Sequence, residues 1–131
     1  MPFPLAEAYI LQAESALGSR LPPSYRAAIA KANGGEVEAE HDTWQLHPLE
    51  DRTDRKRQAR SSAHMLRETE HARTWRAFPL DAIAIASNGT GDHLVLRRHD
   101  NVFADTVYLW SHETGELARI ADSIDELVRI W

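Results

Sequence analysis

Four short apolar segments in the second half of the chain constrain its fold most strongly. They span residues 83–86, 93–97, 106–110 and 117–120, and their β-branched and aromatic content and alternation are typical of β-strands. The connections between them carry Asn, Asp and Gly and are too short for helical crossovers. We therefore expect consecutive antiparallel strands, with helices covering one face of the sheet.

The loop after the first of these segments, residues 87–92, contains a pair of glycines next to an acid and a histidine. A phosphate-binding loop needs a helix directly behind its glycines, so that several backbone N–H groups converge on the anion. Here the chain continues as the strand-like segment 93–97. Asn88, Gly89 and Gly91 tolerate positive φ, which predicts a turn between two strands.

Helical patterns occur at four places along the chain. Gly18 follows the first as a C-cap, and Pro22-Pro23 opens the second, which Gly34-Gly35 ends. The third pattern is polar, with Trp75 among its sparse apolar contacts. Ser123 and Glu126 form a capping-box pattern that opens the last. The predicted helices span residues 5–17, 23–33, 52–74 and 123–131.

Acidic residues alternate with other residues between the second and third predicted helices. As a single strand, this pattern places four carboxylates on one face, and residues 43–46 predict the partner strand. One interpretation is an edge that charge protects against aggregation. The other is a surface that meets a cationic cleft on a protein partner, assisted by Trp44 or Trp110 if they are exposed, although we expect both in the core. The four carboxylates belong to Glu36, Glu38, Glu40 and Asp42.

Length and composition limit the classes of function. At 131 residues the chain is expected to form one domain over residues 1–131, burying roughly two thirds of its unfolded surface. It contains no cysteine, which excludes thiol catalysis and disulfides and fits a reducing compartment. The N-terminal sequence has neither a basic start nor a sustained apolar run, so we expect no signal peptide, no membrane span and a cytoplasmic location.

The net charge of −5 is unevenly distributed. Residues 52–76 carry eight Arg or Lys against three Asp or Glu, a balance of +5, so the other residues carry seven against seventeen, or −10. An acidic body favours basic partners and repels nucleic acid, and the basic segment has no interleaved aromatic platform. We expect this segment to form a solvated helix that complements the protein's own acidic face. Its cations include Arg52, Arg55, Lys56, Arg57 and Arg60.

The candidates for reaction chemistry are incomplete. His64, Glu68 and His71 share one predicted helix face, but they supply only half of the paired motif of di-iron bundles. No serine lies in a nucleophile elbow, and no acidic pair is marked as general acid and base. We expect His93 to cap or pack. We therefore assign no catalytic residue, no metal site and no cofactor.

A series of short motifs, each weak alone, follows an order and spacing that resemble one family over nearly the whole chain. The family is the SUKH superfamily, the Smi/Knr-type domain shared by a yeast cell-wall regulator and many bacterial immunity proteins. The motifs are Ala16-Leu17-Gly18, Leu21-Pro22, Ser24-Tyr25-Arg26, Asn33-Gly34-Gly35, Trp44-x-Leu46, Pro48-Leu49 and Ala86-Ser87-Asn88-Gly89-x-Gly91-Asp92.

The resemblance implies an α+β fold, with a mostly antiparallel sheet flanked by helices and no established catalytic site. It implies a non-enzymatic immunity protein that neutralises a cognate bacterial toxin, such as a nuclease, by direct binding. The alternative is a regulatory or scaffolding module that binds a host protein. In either case we expect a protein partner, with a basic toxin domain favoured, no nucleic acid or membrane, and a monomer or weak homodimer.

Overall fold

The computed structural model describes residues 2–130, which form four α-helices and eight strands. It confirms the α+β class, with an antiparallel sheet flanked by helices. The helices are α1 (Glu7–Leu17), α2 (Pro23–Lys31), α3 (Arg55–Arg60) and α4 (Met65–Ala72). The strands are β1 (Glu36–Ala39), β2 (Asp42–Leu46), β3 (Ala82–Ser87), β4 (His93–His99), β5 (Val102–Phe103), β6 (Val107–Trp110), β7 (Leu117–Ala121) and β8 (Val128–Arg129).

The sheet has the order β7-β6-β4-β3-β2-β1-β8, with β5 attached to β4. All pairings between these strands are antiparallel. The four segments predicted from the sequence are β3, β4, β6 and β7. They lie side by side in the sheet in the predicted order. The short connections therefore led to the correct topology, because no crossover helix fits between them.

The predicted end of the first helix is confirmed, whereas the second helix ends at Lys31, two residues before its predicted end. Gly18 adopts a left-handed conformation with φ 71°, and its N–H donates to the Glu14 carbonyl at 2.9 Å. The Glu14 carboxylate then accepts a hydrogen bond from the Leu21 N–H (2.8 Å) and lies 3.3 Å from the Arg26 guanidinium. The turn between the helices is thus fixed by backbone and side chain together.

The central strand β3 is buried on both faces, whereas the sequence predicted helices on one face only. Ile83 and Ile85 belong to the larger core cluster, into which residues of α1 and α2 pack. Ala82 and Ala84 point to the opposite face and join a smaller cluster that includes Ala72 of α4. The small alanines allow α4 to approach closely, and the Ala84 N–H donates to the Thr69 hydroxyl at 2.9 Å.

The predicted helix over residues 52–74 is wrong, because the chain breaks between α3 and α4. The Ser61 hydroxyl donates to the Arg57 carbonyl (2.8 Å) and accepts from the Asp51 N–H (2.9 Å), which satisfies the end of α3. His64 caps α4 by accepting from the Arg67 N–H at 3.3 Å. Side-chain hydrogen bonds to the backbone thus compete with a continuous helix.

The predicted last helix is also wrong. The Ser123 hydroxyl accepts from the Asp125 N–H (3.2 Å) as a cap does, but only a 3₁₀ turn follows, over residues 124–126. The chain then adds β8 to the edge of β1, where the Ile130 N–H donates to the Glu36 carbonyl at 2.9 Å. Trp131, the predicted end of that helix, lies outside the described residues.

Arg129 joins β8 to the end of α2. Its guanidinium donates to three backbone carbonyls, those of Ala28 (3.3 Å), Ala32 (2.6 Å) and Gly34 (2.6 Å). Two of these carbonyls lie after the last residue of α2 and have no helical partner of their own, so a charged donor satisfies them well.

Arg129→Ala should lower the free energy of unfolding by about 2–3 kcal/mol, because hydrogen bonds from a charged donor to partly buried carbonyls are lost. Urea unfolding followed by circular dichroism measures this loss. Arg119→Ala is the control, since Arg119 pairs with Asp122 at the exposed surface and should change the stability by less than about 0.5 kcal/mol. Equal losses in the two variants would contradict the role of Arg129.

Candidate partner-binding surface

The predicted acidic strand is a hairpin rather than one strand. β1 ends at Ala39 and β2 begins at Asp42, so only Glu40 and His41 form the turn. Both turn residues have positive φ (51° and 61°), as a tight two-residue hairpin requires. Packing fixes this register: Val37 and Trp44 face each other in the core, and the Trp44 indole donates to the Ala39 carbonyl at 3.0 Å.

The four acidic residues are therefore not on one face, and that expectation is wrong. Glu36 and Glu38 share a face with their partners in β2. Glu40 lies at the tip, and Asp42 pairs with Ala39 on the opposite face. All four are exposed. We call these four carboxylates on β1, β2 and the turn the acidic hairpin.

The acidic hairpin is held in place but not neutralised. The Asp42 carboxylate accepts hydrogen bonds from the Thr43 N–H (2.9 Å) and the Asn88 amide (2.8 Å). The second bond ties the hairpin to the loop of residues 87–92, which we call the glycine loop. Among residues 2–130, no salt bridge involves Glu36, Glu38 or Glu40. Three carboxylates thus remain available on a rigid support.

The glycine loop is a turn, as predicted. Gly89 and Gly91 have φ of 85° and 109°. The Asn88 side chain accepts from the N–H and hydroxyl of Thr90 (3.1 and 2.7 Å), which closes the turn. A side chain on Gly91 would place its Cβ 3.0 Å from the His112 ring.

His112 is fixed by Asp92, the last residue of that loop. The Asp92 carboxylate lies 2.6 Å from the His112 Nδ1 and accepts from the His112 backbone N–H at 3.0 Å. Burial alone raises the pKa of Asp92, but the hydrogen bonds and charge from His112 outweigh it and leave the pKa below its ordinary value. His112 thereby offers a fixed ring to its neighbours.

Trp75 rests on this ring and is a surface residue that sequence analysis missed. It is 46% exposed, and its indole makes edge contacts with His112 (5.5 Å) and with buried Trp110 (6.4 Å). Arg73 and Arg76 flank it and are exposed. A tryptophan after a polar helix was the only signal in the sequence, and that signal does not separate a surface residue from a core residue.

The register places Glu36 and Glu38 of the acidic hairpin on the same side of the sheet as Trp75. A row of paired residues crosses five strands on a single face. Glu36 and Trp110 are four strand spacings apart along it, or about 19 Å. Trp75 covers Trp110 at one end, and Glu36 is open to solvent at the other. The row runs Glu36, Gln45, Ser87, His93, Trp110.

His93 lies in this row and is packed, as predicted. Its ring stacks on Trp110 at 6.1 Å and lies 6.2 Å from the ring of His47. Burial lowers the pKa of His93, although the Ala86 backbone and nearby acids oppose the shift. Burial, together with the charge of His93, lowers the pKa of His47 to about 4. Both rings are therefore neutral at pH 7.

The aromatic residues considered for the acidic surface are in the core. Trp44 and Trp110 are each 1% exposed, which confirms that both are packed. The expectation that the basic segment complements the acidic face is wrong for the hairpin. Among the described residues, no cation of that segment lies within ion-pair distance of a carboxylate of the acidic hairpin. Lys56, Arg57 and Arg60 instead surround the ring of Phe3.

With the geometry in place, comparison with known proteins assigns the family. The SMI1 / KNR4 family (SUKH-1) matches residues 4–130, nearly the whole chain. The chain belongs to this family. No curated protein matches the chain.

SUKH-1 domains are in general binding domains rather than enzymes, which agrees with the surfaces described above. Within residues 2–130, no three His, Asp or Glu side chains are placed to hold a metal ion. His64, considered as a ligand, caps α4 with its ring nitrogen. None of the described helices combines the length and the apolar character that a membrane span requires.

The stability of this SUKH-1 domain should fall as the pH falls below about 6.5. The unfolded chain takes up protons on His47 near its ordinary pKa of 6.5, whereas the folded protein does so only near 4. Neutral His47 thus contributes stability that is complete above pH 6.5 and is lost between pH 6.5 and 4, by about 3 kcal/mol.

Urea unfolding at several pH values tests this expectation. His47→Leu should flatten the stability profile between pH 6 and 4.5, because one of the buried protonation sites is gone. His99→Gln is the control, since the His99 side chain is 88% exposed and should leave the profile unchanged. An unchanged slope in His47→Leu would show that His47 does not carry this dependence.

Proposed function

We propose that this SUKH-1 domain is a cytoplasmic immunity protein that neutralises a cognate bacterial toxin by binding and covering its cationic active-site cleft. The observation that carries the proposal is the acidic hairpin, in which the exposed side chains of Glu36, Glu38 and Glu40 form no salt bridge among the described residues. Nucleases bind a polyanion and therefore present cationic clefts. A fixed set of carboxylates is complementary to such a cleft.

The support beneath the acidic hairpin favours tight binding. Trp44 anchors β2 in the core, Asn88 holds Asp42, and β8 pairs with β1 on its outer edge. A surface that is already ordered loses little conformational entropy when it binds. Its charge also accelerates association, because the acidic body steers a basic partner towards it.

Trp75 supplies an apolar contact on the same side of the sheet. Interfaces of ordinary size bury about 800 Å² on each partner, enough to reach both Trp75 and Glu36 across the row of about 19 Å. Tryptophan and arginine are the residue types that most often dominate binding energy, and Arg76 is the next residue in the chain. The proposed interface thus has an electrostatic end and an apolar end.

Reversing two charges of the acidic hairpin tests its role. Glu38→Lys with Glu40→Lys should slow association with the toxin encoded beside this gene about tenfold and weaken its dependence on salt. Stopped-flow or biosensor kinetics at two salt concentrations measure both effects. The variant should remain folded, because both residues are exposed.

The matched control is Glu7→Lys with Asp125→Lys, which changes the net charge by the same amount on the side of the sheet that α1 and α2 cover. Association should slow far less in this control. If both double variants slow association equally, general charge rather than the hairpin is responsible. If neither does, the hairpin charges only protect an edge strand. The absence of a toxin gene beside this one would favour the regulatory module that binds a host protein.

Trp75→Ala should weaken the complex about thirtyfold, mainly through faster dissociation, since truncating an anchor residue costs about 2 kcal/mol. Leu11→Ala is the control, because Leu11 is 54% exposed on α1, which packs into the core cluster on the opposite face of β3. The dissociation rate from the toxin measures the effect. A rate unchanged in Trp75→Ala would place the apolar contact elsewhere.

A further inference from the structure

A polar cleft lies between the N-terminal segment, the loop after α2 and helix α3. Its volume is about 340 Å³, enough for two or three side chains of a ligand. Phe3, Gly34 and Ser61 are among the residues that line it. Arg57 and Arg60 also line it, and we call it the basic cleft.

Three cations of α3 surround one aromatic ring at this place. The guanidinium groups of Arg57 and Arg60 lie 4.6 and 5.0 Å from the centre of the Phe3 ring, and the Lys56 ammonium lies 5.8 Å from it. The ring attracts each cation, but the cations repel one another at such distances. The ring also leaves their N–H groups free to bind an acceptor.

These cations have few carboxylate partners, although the protein is acidic. Lys56 and Arg60 form no salt bridge among residues 2–130, and Arg57 lies 3.9 Å from Asp54. The Arg57 Nε is buried and donates to no described residue. Elsewhere cations do pair at short range, as Arg97 does with Asp81 at 2.9 Å.

The acidic residues in the cleft do not neutralise this group. The Asp51 carboxylate accepts hydrogen bonds from the N–H and hydroxyl of Thr53, at 3.0 and 2.6 Å. Glu36, on the other wall, forms no ion pair with Arg57 or Arg60. Donors for a further anion therefore remain free.

We propose that the basic cleft binds the carboxylates of an acidic segment in a protein partner. Guanidinium groups recognise carboxylates through paired, charge-assisted hydrogen bonds. The two arginines that line the cleft, with Lys56 at the Phe3 ring beside it, suit a segment with two or three acidic side chains. A nucleic acid fits less well, because its continuous phosphates would run against Glu36 and the acidic body. The cations of this site lie on α3, whereas the acidic hairpin carries the opposite charge and contributes only Glu36 to the lining of the cleft.

The experiment uses the full chain and a blocked peptide of three glutamates, with a blocked peptide of three glutamines for comparison. Arginine Nε–Hε signals in NMR spectra report binding at low salt. The glutamate peptide should shift the Arg57 and Arg60 signals saturably, with a Kd of about 1 mM. The glutamine peptide should not shift them.

Substitutions locate the site. Arg60→Gln and Lys56→Gln should each weaken binding of the glutamate peptide about fivefold to tenfold, since each removes a charged donor. Arg55→Gln is the matched control: Arg55 is an exposed cation of the same helix that does not contact Phe3, and it should leave the Kd unchanged within a factor of two.

Three results would overturn the proposal. The first is the absence of a saturable shift with the glutamate peptide. The second is an equal loss of binding in Arg55→Gln, which would indicate general charge attraction. The third is tighter binding of a short oligothymidine than of the peptide, which would make the cleft a nucleic-acid site. The three substituted residues are exposed at the surface, and urea unfolding of each variant checks that it is folded.

Discussion

The alternation of large and small side chains along β3 is the constraint on which the rest of the structure depends. Ile83 and Ile85 point into the thick core beneath α1 and α2, whereas Ala82 and Ala84 leave only a thin layer on the other face. α4 approaches through that layer and satisfies the Ala84 N–H with a threonine hydroxyl. A larger residue at either alanine would push α4 away and expose this hydrogen bond.

The exposure of the candidate binding surface follows from the same strand. β2 pairs with only the last two residues of β3, Ala86 and Ser87, and earlier in β3 the Ala84 N–H donates to Thr69 of α4. The β1–β2 hairpin consequently extends past the packed layer, with one face open to solvent. Helix α4 thus covers the early part of β3 and leaves the acidic hairpin exposed to solvent.

The sequence predicted what depends on neighbouring residues. The strand order of the second half followed from short connections, and the helix end at Gly18 followed from a single residue. The break at Ser61 depended on a side chain that bonds to a carbonyl four residues earlier, which composition does not reveal. β8 depended on the free edge of β1, where Glu38 pairs with Val128, 90 residues later in the chain, a contact without any local signal.

The candidate site was predictable in composition but not in arrangement. The exposure of the four carboxylates followed from their chemistry, yet their distribution over two faces followed from a turn at Glu40 and His41, which lack the glycine that usually marks it. The position of Trp75 was not predictable from the sequence either, because its indole packs against the ring of His112, which lies far along the chain. The sequence pattern therefore identified the exposed charged residues, and only the folded structure identified the exposed aromatic residue, Trp75.

Opposite charges that remain apart in a folded protein restrict the kind of partner it binds. Glu36 and Arg60 line the same cleft without pairing, because each is held by its own element: Glu36 by β1 between two strands, and Arg60 by the ring of Phe3. Neither side chain has to be released before a partner binds. A partner with one basic and one acidic surface then fits in a single orientation, since the reverse orientation places like charges together. Inhibition by occlusion, the role proposed above, depends on such a fixed orientation and requires no reactive group.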